Sequence, residues 1–240
     1  TACHVKGLRF FLRKDYDNLY TIDLVCHGVP GQGVFRKYVD WLEKRYGDQL
    51  IDFEPRHKGS DGQEVLWCRT ATFKRNGKVK ISLDEDGYFI GFQHNIFLRD
   101  NCYNCTSNGE FRYADFTVGD FWGIDRLKNN RERCYGISML ALNSEKAKKL
   151  FDSFSDLLIF ERRTYTEASV VNTQYFKSAT SSPYRQQFRN EWQTTSWELL
   201  TKKYLRYSIK ERLLFIVRKH FPLTYMMLNH YTNGQKRKLQ

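Results

Sequence analysis

Apolar positions along this chain change their period several times, and each change marks an element. Val5 to Arg13 reads as a short helix following a turn at Cys3. Tyr20 to Cys26 is rich in strand formers and ends in a glycine-rich turn, His27-Gly28-Val29-Pro30-Gly31-Gln32-Gly33. Beyond it Phe35, Tyr38, Val39, Leu42 and Tyr46 recur at helical spacing. The unit is strand–turn–helix, with Cys26 where the strand meets its loop, a common place for ligands in α/β folds.

From Ile51 to Leu83 the pattern changes. Val65 to Phe73 and Lys78 to Leu83 predict two strands around Arg75-Asn76-Gly77, since Asn-Gly is a strong hairpin signal. Tyr88 to Leu98 is aromatic and predicts a helix leading into a loop with Cys102 and Cys105. Asp115 to Val118 and Gly136 to Leu142 predict buried strands, and Ser144 to Phe154 a helix with Ser144 as its N-cap. Tyr184 to Tyr231 predicts successive helices broken at Ser208 and Pro222, with Ile209, Leu213, Ile216, Val217 and His220 on one face. The tail from Gly234 to Gln240 is expected to fray. The fold class is α/β, a mixed sheet core with an inserted hairpin, followed by a basic helical C-terminal region. The division falls at residues 1–160 and 161–240.

With 240 residues, 41% hydrophobic and 16% aromatic, the chain can bury a sizeable core. No apolar run approaches the roughly 20 residues of a membrane-spanning helix. The net charge of +12 is unevenly placed. Residues 1–160 carry 24 Lys and Arg against 22 Asp and Glu, whereas residues 161–240 carry 15 against 5. The basic region suits an acidic partner or an anionic membrane face. A nucleic-acid partner is disfavoured, because no recognised binding motif accompanies the charge. The chain opens inside what reads as a motif, so an upstream segment is expected.

Six cysteines are too sparse for a disulfide-stapled scaffold, which favours a reducing, cytoplasmic setting. Cys102-Tyr103-Asn104-Cys105 has metal-binding spacing. Cys26 precedes a glycine turn where backbone can bend around a bulky group, and Cys3 precedes a short helix. Four thiolates converging from loops suit an iron–sulfur cluster, but one C-x-x-C equally suits a zinc knuckle. The spacing alone leaves cluster and zinc open, and a zinc-stabilised nucleic-acid-binding or interaction module is the competing reading. Cys68, in a strand-like stretch, and Cys134, in a charged loop, are set aside.

Four segments occur in one order: Thr1-Ala2-Cys3 running into Gly7-Leu8, Asp23-Leu24-Val25-Cys26-His27-Gly28-Val29-Pro30, Leu98-Arg99 before Cys102 and Cys105, and Asp115-Phe116-Thr117-Val118-Gly119-Asp120-Phe121-Trp122-Gly123. Together, over roughly residues 1–155, they resemble the C-terminal domain of the coenzyme F420 hydrogenase/dehydrogenase beta subunit family. The resemblance implies an oxidoreductase with a 4Fe–4S cluster beside FAD, relaying electrons toward a deazaflavin or another two-electron acceptor. It implies Cys3, Cys26, Cys102 and Cys105 as cluster ligands, and a ferredoxin-like domain or redox partner upstream. Ala2, His4 and the 106–109 stretch depart from the family's usual residues without removing a thiol.

The same resemblance places cofactor contacts at Gly119, Asp120, Phe121 and Trp122. Gly119 and Gly123 are expected to shape a turn open to a ligand. Asp120 is the expected acceptor from flavin or ribityl groups, and an aromatic ring is expected to pack on the isoalloxazine. His27 and Gly28 complete the set, His27 as a hydrogen-bonding or proton-donating group. No catalytic residue is assigned.

Overall fold

The computed structural model describes residues 1–57, 68–82, 86–121 and 137–220. Several expected features lie outside these residues: strand positions 65–67, 83 and 136, the Trp122 and Gly123 of the aromatic turn, Cys134, and everything from Phe221 onward, including the break at Pro222.

Helix α1 (Ala2–Leu12) precedes β1 (Ile22–Leu24), α2 (Gln32–Tyr46) and β2 (Leu50–Glu54). Then follow β3 (Cys68–Phe73), β4 (Gly77–Ser82), α3 (Gly87–Gln93), the single turn α4 (Asp100–Tyr103), β5 (Phe116–Asp120) and β6 (Ser138–Leu142). Helices α5 (Glu145–Phe154), α6 (Tyr165–Val171), α7 (Arg185–Glu191), α8 (Trp197–Tyr204) and α9 (Ile209–His220) complete the described chain. The class is α/β, as the pattern predicts. None of the described helices is long and apolar enough to cross a membrane.

The strands form two small sheets. In the first, β1 runs parallel to β5 from Ile22↔Phe116 to Leu24↔Val118, and β5 pairs antiparallel with β6. Side chains alternate between faces of a sheet. One face puts Met139 against Ala168 and Tyr175, with Val25 and Phe121 packed beside them. On the other, α5 lays Ala147 and Phe151 over Phe116 and Leu142. Ser144 caps α5 by accepting the Ala147 N–H at 3.1 Å, the role its spacing predicts.

The second sheet is antiparallel, in the order β2-β3-β4. The expected hairpin is present as β3 and β4, but β2 widens it into a three-stranded sheet that the sequence reading does not anticipate. Asp48 fastens the turn by accepting the N–H groups of Arg75 (2.7 Å) and Asn76 (2.9 Å). Although burial alone would raise its pKa, these N–H bonds outweigh burial and bring it down to about 2. The sheet packs Ala71, Phe73 and Ile81 against Tyr38 and Leu42 of α2. Phe188, Trp197, Leu200 and Leu205 close the same core, so helices late in the chain share it with elements from the first half.

Three boundaries differ from expectation. Helix α1 starts at Ala2, with the His4 N–H donating to the Thr1 carbonyl, so Cys3 sits in its first turn rather than before it. Helix α3 ends at Gln93, because Asn95 takes a left-handed conformation (φ 54°) and buried Ile96 and Phe97 follow as bends rather than helix. Leu98 then bridges Pro30, so tertiary pairing prevails over the local helical pattern. Strand β5 continues through Gly119 and Asp120, which are therefore ladder residues and not part of a turn.

Asp115 joins α1, β1 and α5. Its carboxylate accepts from Arg9 (2.8 Å), from the Thr21 N–H and hydroxyl (both 2.9 Å), and from the Ser144 hydroxyl (2.8 Å). Burial raises its pKa, but the bonds from Ser144 and Thr21 more than offset this and hold it below the ordinary carboxylate value. Asp115→Ala is expected to lower the unfolding free energy by about 3–5 kcal/mol, read from urea denaturation. Because the folded carboxylate titrates below the unfolded one, near 3.9, its contribution is complete above about pH 5 and is lost as pH falls through the folded value. The Ala variant should therefore show a shallower acid loss of stability than the wild type.

Candidate functional site

The site is built where β1 ends. The Val25 N–H donates to the Val118 carbonyl at 2.9 Å, extending the parallel ladder to the residue before Cys26. Cys26 thus leaves the sheet beside Gly119 and Asp120, at the C-terminal ends of two parallel strands. Past Cys26 the chain runs antiparallel to residues 97–99. Gly31 N–H donates to Phe97 O (3.2 Å) and Arg99 N–H to Val29 O (2.9 Å), around the Pro30–Leu98 bridge. This pairing delivers the C-x-x-C loop to Cys26.

Glycine is required at position 28. Its φ is +139°, and a Cβ there would stand 2.5 Å from Leu98 Cδ1. The turn points two amides at sulfur: Val29 N–H donates to Cys102 Sγ at 3.4 Å, and the Gly28 N–H bonds to the Cys26 sulfur. Burial pushes the Cys26 thiol up, and the neighbouring sulfurs of Cys102 and Cys3 push it the same way against that Gly28 bond. Cys26 is therefore within electrostatic reach of the sulfurs of Cys102 and Cys3.

Cys3 is exposed on the first turn of α1, with its sulfur 3.2 Å from the Thr1 hydroxyl. Helix α1 reaches the fourth thiol's loop through Lys6, which donates to the Thr106 hydroxyl at 2.9 Å, one residue past Cys105. Within the C-x-x-C itself, Tyr103 donates its hydroxyl to Asn95 O (2.7 Å) and accepts the Leu98 N–H (3.1 Å). Cys3, Cys26, Cys102 and Cys105 are all free thiols. Among the described residues, no group of three or more His, Cys, Asp or Glu side chains stands close enough to hold a metal ion. Four soft donors on three chain segments, two of them facing backbone N–H groups, have the chemistry of an iron–sulfur ligand set.

The remaining expected residues are engaged within the protein. His27 Nε2 lies 3.2 Å from the Phe92 carbonyl, which can only accept, so Nε2 carries the hydrogen and Nδ1 accepts from the Gln174 amide at 3.2 Å. Its ring leans on Phe92 at 4.7 Å. Gly119 is approached by Val25 Cγ2, 3.0 Å from where a Cβ would be. Phe121 donates its N–H to Ile137 O (2.8 Å) and packs into the core with Met139 and Tyr175. Asp120 stays half-open to solvent and pairs with Arg56 at 2.8 Å.

Sequence reasoning missed Arg112. It is buried, donates to Ser107 O (3.2 Å) and Tyr175 O (3.1 Å), and lies 3.6 Å from buried Asp23. It thereby ties the Cys105 loop to the strand that presents Cys26. Burial raises the Asp23 pKa against the opposing pull of the Thr117 hydroxyl and Arg112. The available signal was a charge between aromatic Phe111 and Tyr113, matched by Asp23 between Ile22 and Leu24. Gly28→Ala is expected to cost about 3 kcal/mol, from backbone strain and overpacking on Leu98, as a lowered midpoint in thermal or urea unfolding.

No curated protein and no solved structure matches the chain. Residues 1–167 match the family described as the C terminus of the coenzyme F420 hydrogenase/dehydrogenase beta subunit, a family of redox-enzyme subunits. The matched segment spans α1 through the start of α6 and contains all four thiols of the site. The chain belongs to this C-terminal family of the coenzyme F420 hydrogenase/dehydrogenase beta subunit.

Proposed function

We propose that this chain is the cluster-bearing part of an electron-relay subunit, with a 4Fe–4S cluster held by Cys3, Cys26, Cys102 and Cys105. The observation that carries the reading is that the 26–31 turn lies against residues 97–99 and puts the Val29 N–H on Cys102 Sγ, while α1 reaches the stretch after Cys105 through Lys6. Such a cluster would supply one-electron transfer, and FAD, the second cofactor of the reading, would supply two-electron chemistry toward a deazaflavin or similar acceptor.

This chain's own residues bind and orient. The N–H groups of Gly28 and Val29 stabilise negative charge on two of the sulfurs, an interaction that favours the reduced form of a cluster. Lys6 and Arg112 fix the loop after Cys105 at adjacent residues, Thr106 and Ser107. Of the described residues in the flavin share of the reading, Asp120 has an accessible carboxylate, while His27 and Phe121 are engaged by the protein's own groups; Trp122 stays part of the proposed set. A ferredoxin-like domain or partner is the proposed electron source, and a reducing cytoplasmic setting suits the free thiols.

Anaerobic reconstitution followed by iron, sulfide and zinc analysis tests the cluster. About four irons per chain with a broad visible absorption are expected, both lost in Cys26→Ala. A colourless protein holding one zinc would overturn the assignment. The flavin part is separable: Asp120→Ala should weaken FAD binding at least several-fold in a fluorescence titration while leaving iron content unchanged.

A further inference from the structure

The C-x-x-C loop has little structure of its own. Its helix is one turn, Asp100–Tyr103, far below the length at which a helix is stable alone. One distant stretch, residues 178–189, satisfies the loop instead, and it lies past the end of the family-matched segment. The Ser178 hydroxyl donates to Cys105 O at 3.1 Å, and the Ala179 N–H donates to Cys102 O at 3.3 Å. Both cysteine carbonyls are thus taken by adjacent residues of one strand of chain. Next along, the Thr180 carbonyl accepts at 3.0 Å from the side-chain amide of Asn95, the same residue whose carbonyl accepts the Tyr103 hydroxyl.

Helix α7 supplies the second half of the grip. Arg185 and Arg189 are four residues apart and so share a helix face. Both reach Asp100, the first residue of α4: Arg185 pairs with it, and Arg189 donates to both carboxylate oxygens at 3.1 Å. The Arg185 guanidinium also lies 4.1 Å over the ring of Tyr103, the residue after Cys102. An exposed ion pair alone is worth little. Here two guanidinium groups, a ring face and two carbonyl bonds act on the same six residues. The grip has a rigid base, because Phe188 of the same helix is buried in the main core.

We propose that residues 178–189 are a clasp that presets the Cys102–Cys105 loop for its ligand, with Arg185 as the positioning residue. The role assigned to the loop rests on the cluster reading above, but the clasp itself can be read without a cluster. A merely stabilising contact would change how much protein folds. A positioning contact changes how two particular sulfurs are presented.

The test uses the full chain and its Arg185→Gln and Ser178→Ala variants. In the metal-free, reduced protein, alkylation by iodoacetamide is followed at each cysteine by mass spectrometry. Arg185→Gln should speed reaction at Cys102 and Cys105 by about tenfold, with Cys3 and Cys26 unchanged, and Ser178→Ala should do so less strongly. In the reconstituted protein, Arg185→Gln should shift the g values of the reduced cluster and hasten iron loss to a chelator. Equal acceleration at Cys26 would mean general loosening and overturn the proposal, as would unchanged reactivity at the pair or unchanged g values. A wild type that takes up no iron would defeat the cluster reading alone, and the alkylation ratio would still decide the clasp.

Discussion

Asp115 holds the molecule in the arrangement that its site requires. Helix α1 buries only Ala2 and Val5 and exposes Leu8, Phe10 and Phe11, so apolar burial cannot fix its angle to the sheet. Arg9 does so by bonding a carboxylate that is itself held by Thr21 at the entrance to β1 and by Ser144 at the cap of α5. In a low-dielectric setting a satisfied polar network is strong and directional, whereas hydrophobic contact is neither specific in angle nor in register. The position of Cys3 therefore follows from a carboxylate more than a hundred residues away. The same carboxylate sets where β1 begins, and with it where Cys26 emerges.

Polar junctions carry this weight because the apolar cores are divided. The largest cluster lies around α2 and the antiparallel sheet, while the mixed sheet that presents Cys26 has two small ones. Small cores leave a chain free to slip, and buried ion pairs are best understood as registry devices in that situation. Asp23 with Arg112 sets the Cys105 loop against β1. Asp86, wholly buried, caps α3 by accepting the Phe89 N–H and lies 3.6 Å from Arg69 of β3. The first junction joins segments far apart in sequence and lies next to the candidate site's loop, whereas the second ties a helix start to a nearby strand.

Much of this was legible in the residues. The strand–turn–helix at 20–46, the hairpin, the Ser144 cap and the family followed from period, turn chemistry and ordered motifs. What escaped was set by tertiary pairing. Residues 96–98 have the apolar content of a helix end but bend away from it, because Val29 and Gly31 offer Phe97 and Arg99 backbone partners around the Pro30–Leu98 bridge. Strand β2 escaped because Ile51 is exposed and a register shift between Leu50 and Asp52 breaks its alternation. The thiols of the candidate site stand out in the sequence because C-x-x-C and a cysteine before a glycine turn are local patterns. Arg112 and Arg185 were not, since a single arginine acquires its meaning only from the carbonyl or ring it meets in the fold.

The four thiols differ in their surroundings, and the fold dictates the difference. Cys3 is exposed on a helix that lies across the sheet's entrance, while Cys26, Cys102 and Cys105 are half-buried where two turns and the 178–189 stretch meet. Backbone N–H groups reach Cys26 and Cys102 because residues 28–31 are flattened against 97–99, which is possible only with glycine at 28. The inner sulfurs are thus fixed by backbone geometry, and the outer one by the rotation of a helix on its Arg9 tether. A group bound by all four would join the sheet, the loop and α1 into one unit. Its binding energy would fall chiefly on α1, the element that apolar packing secures least.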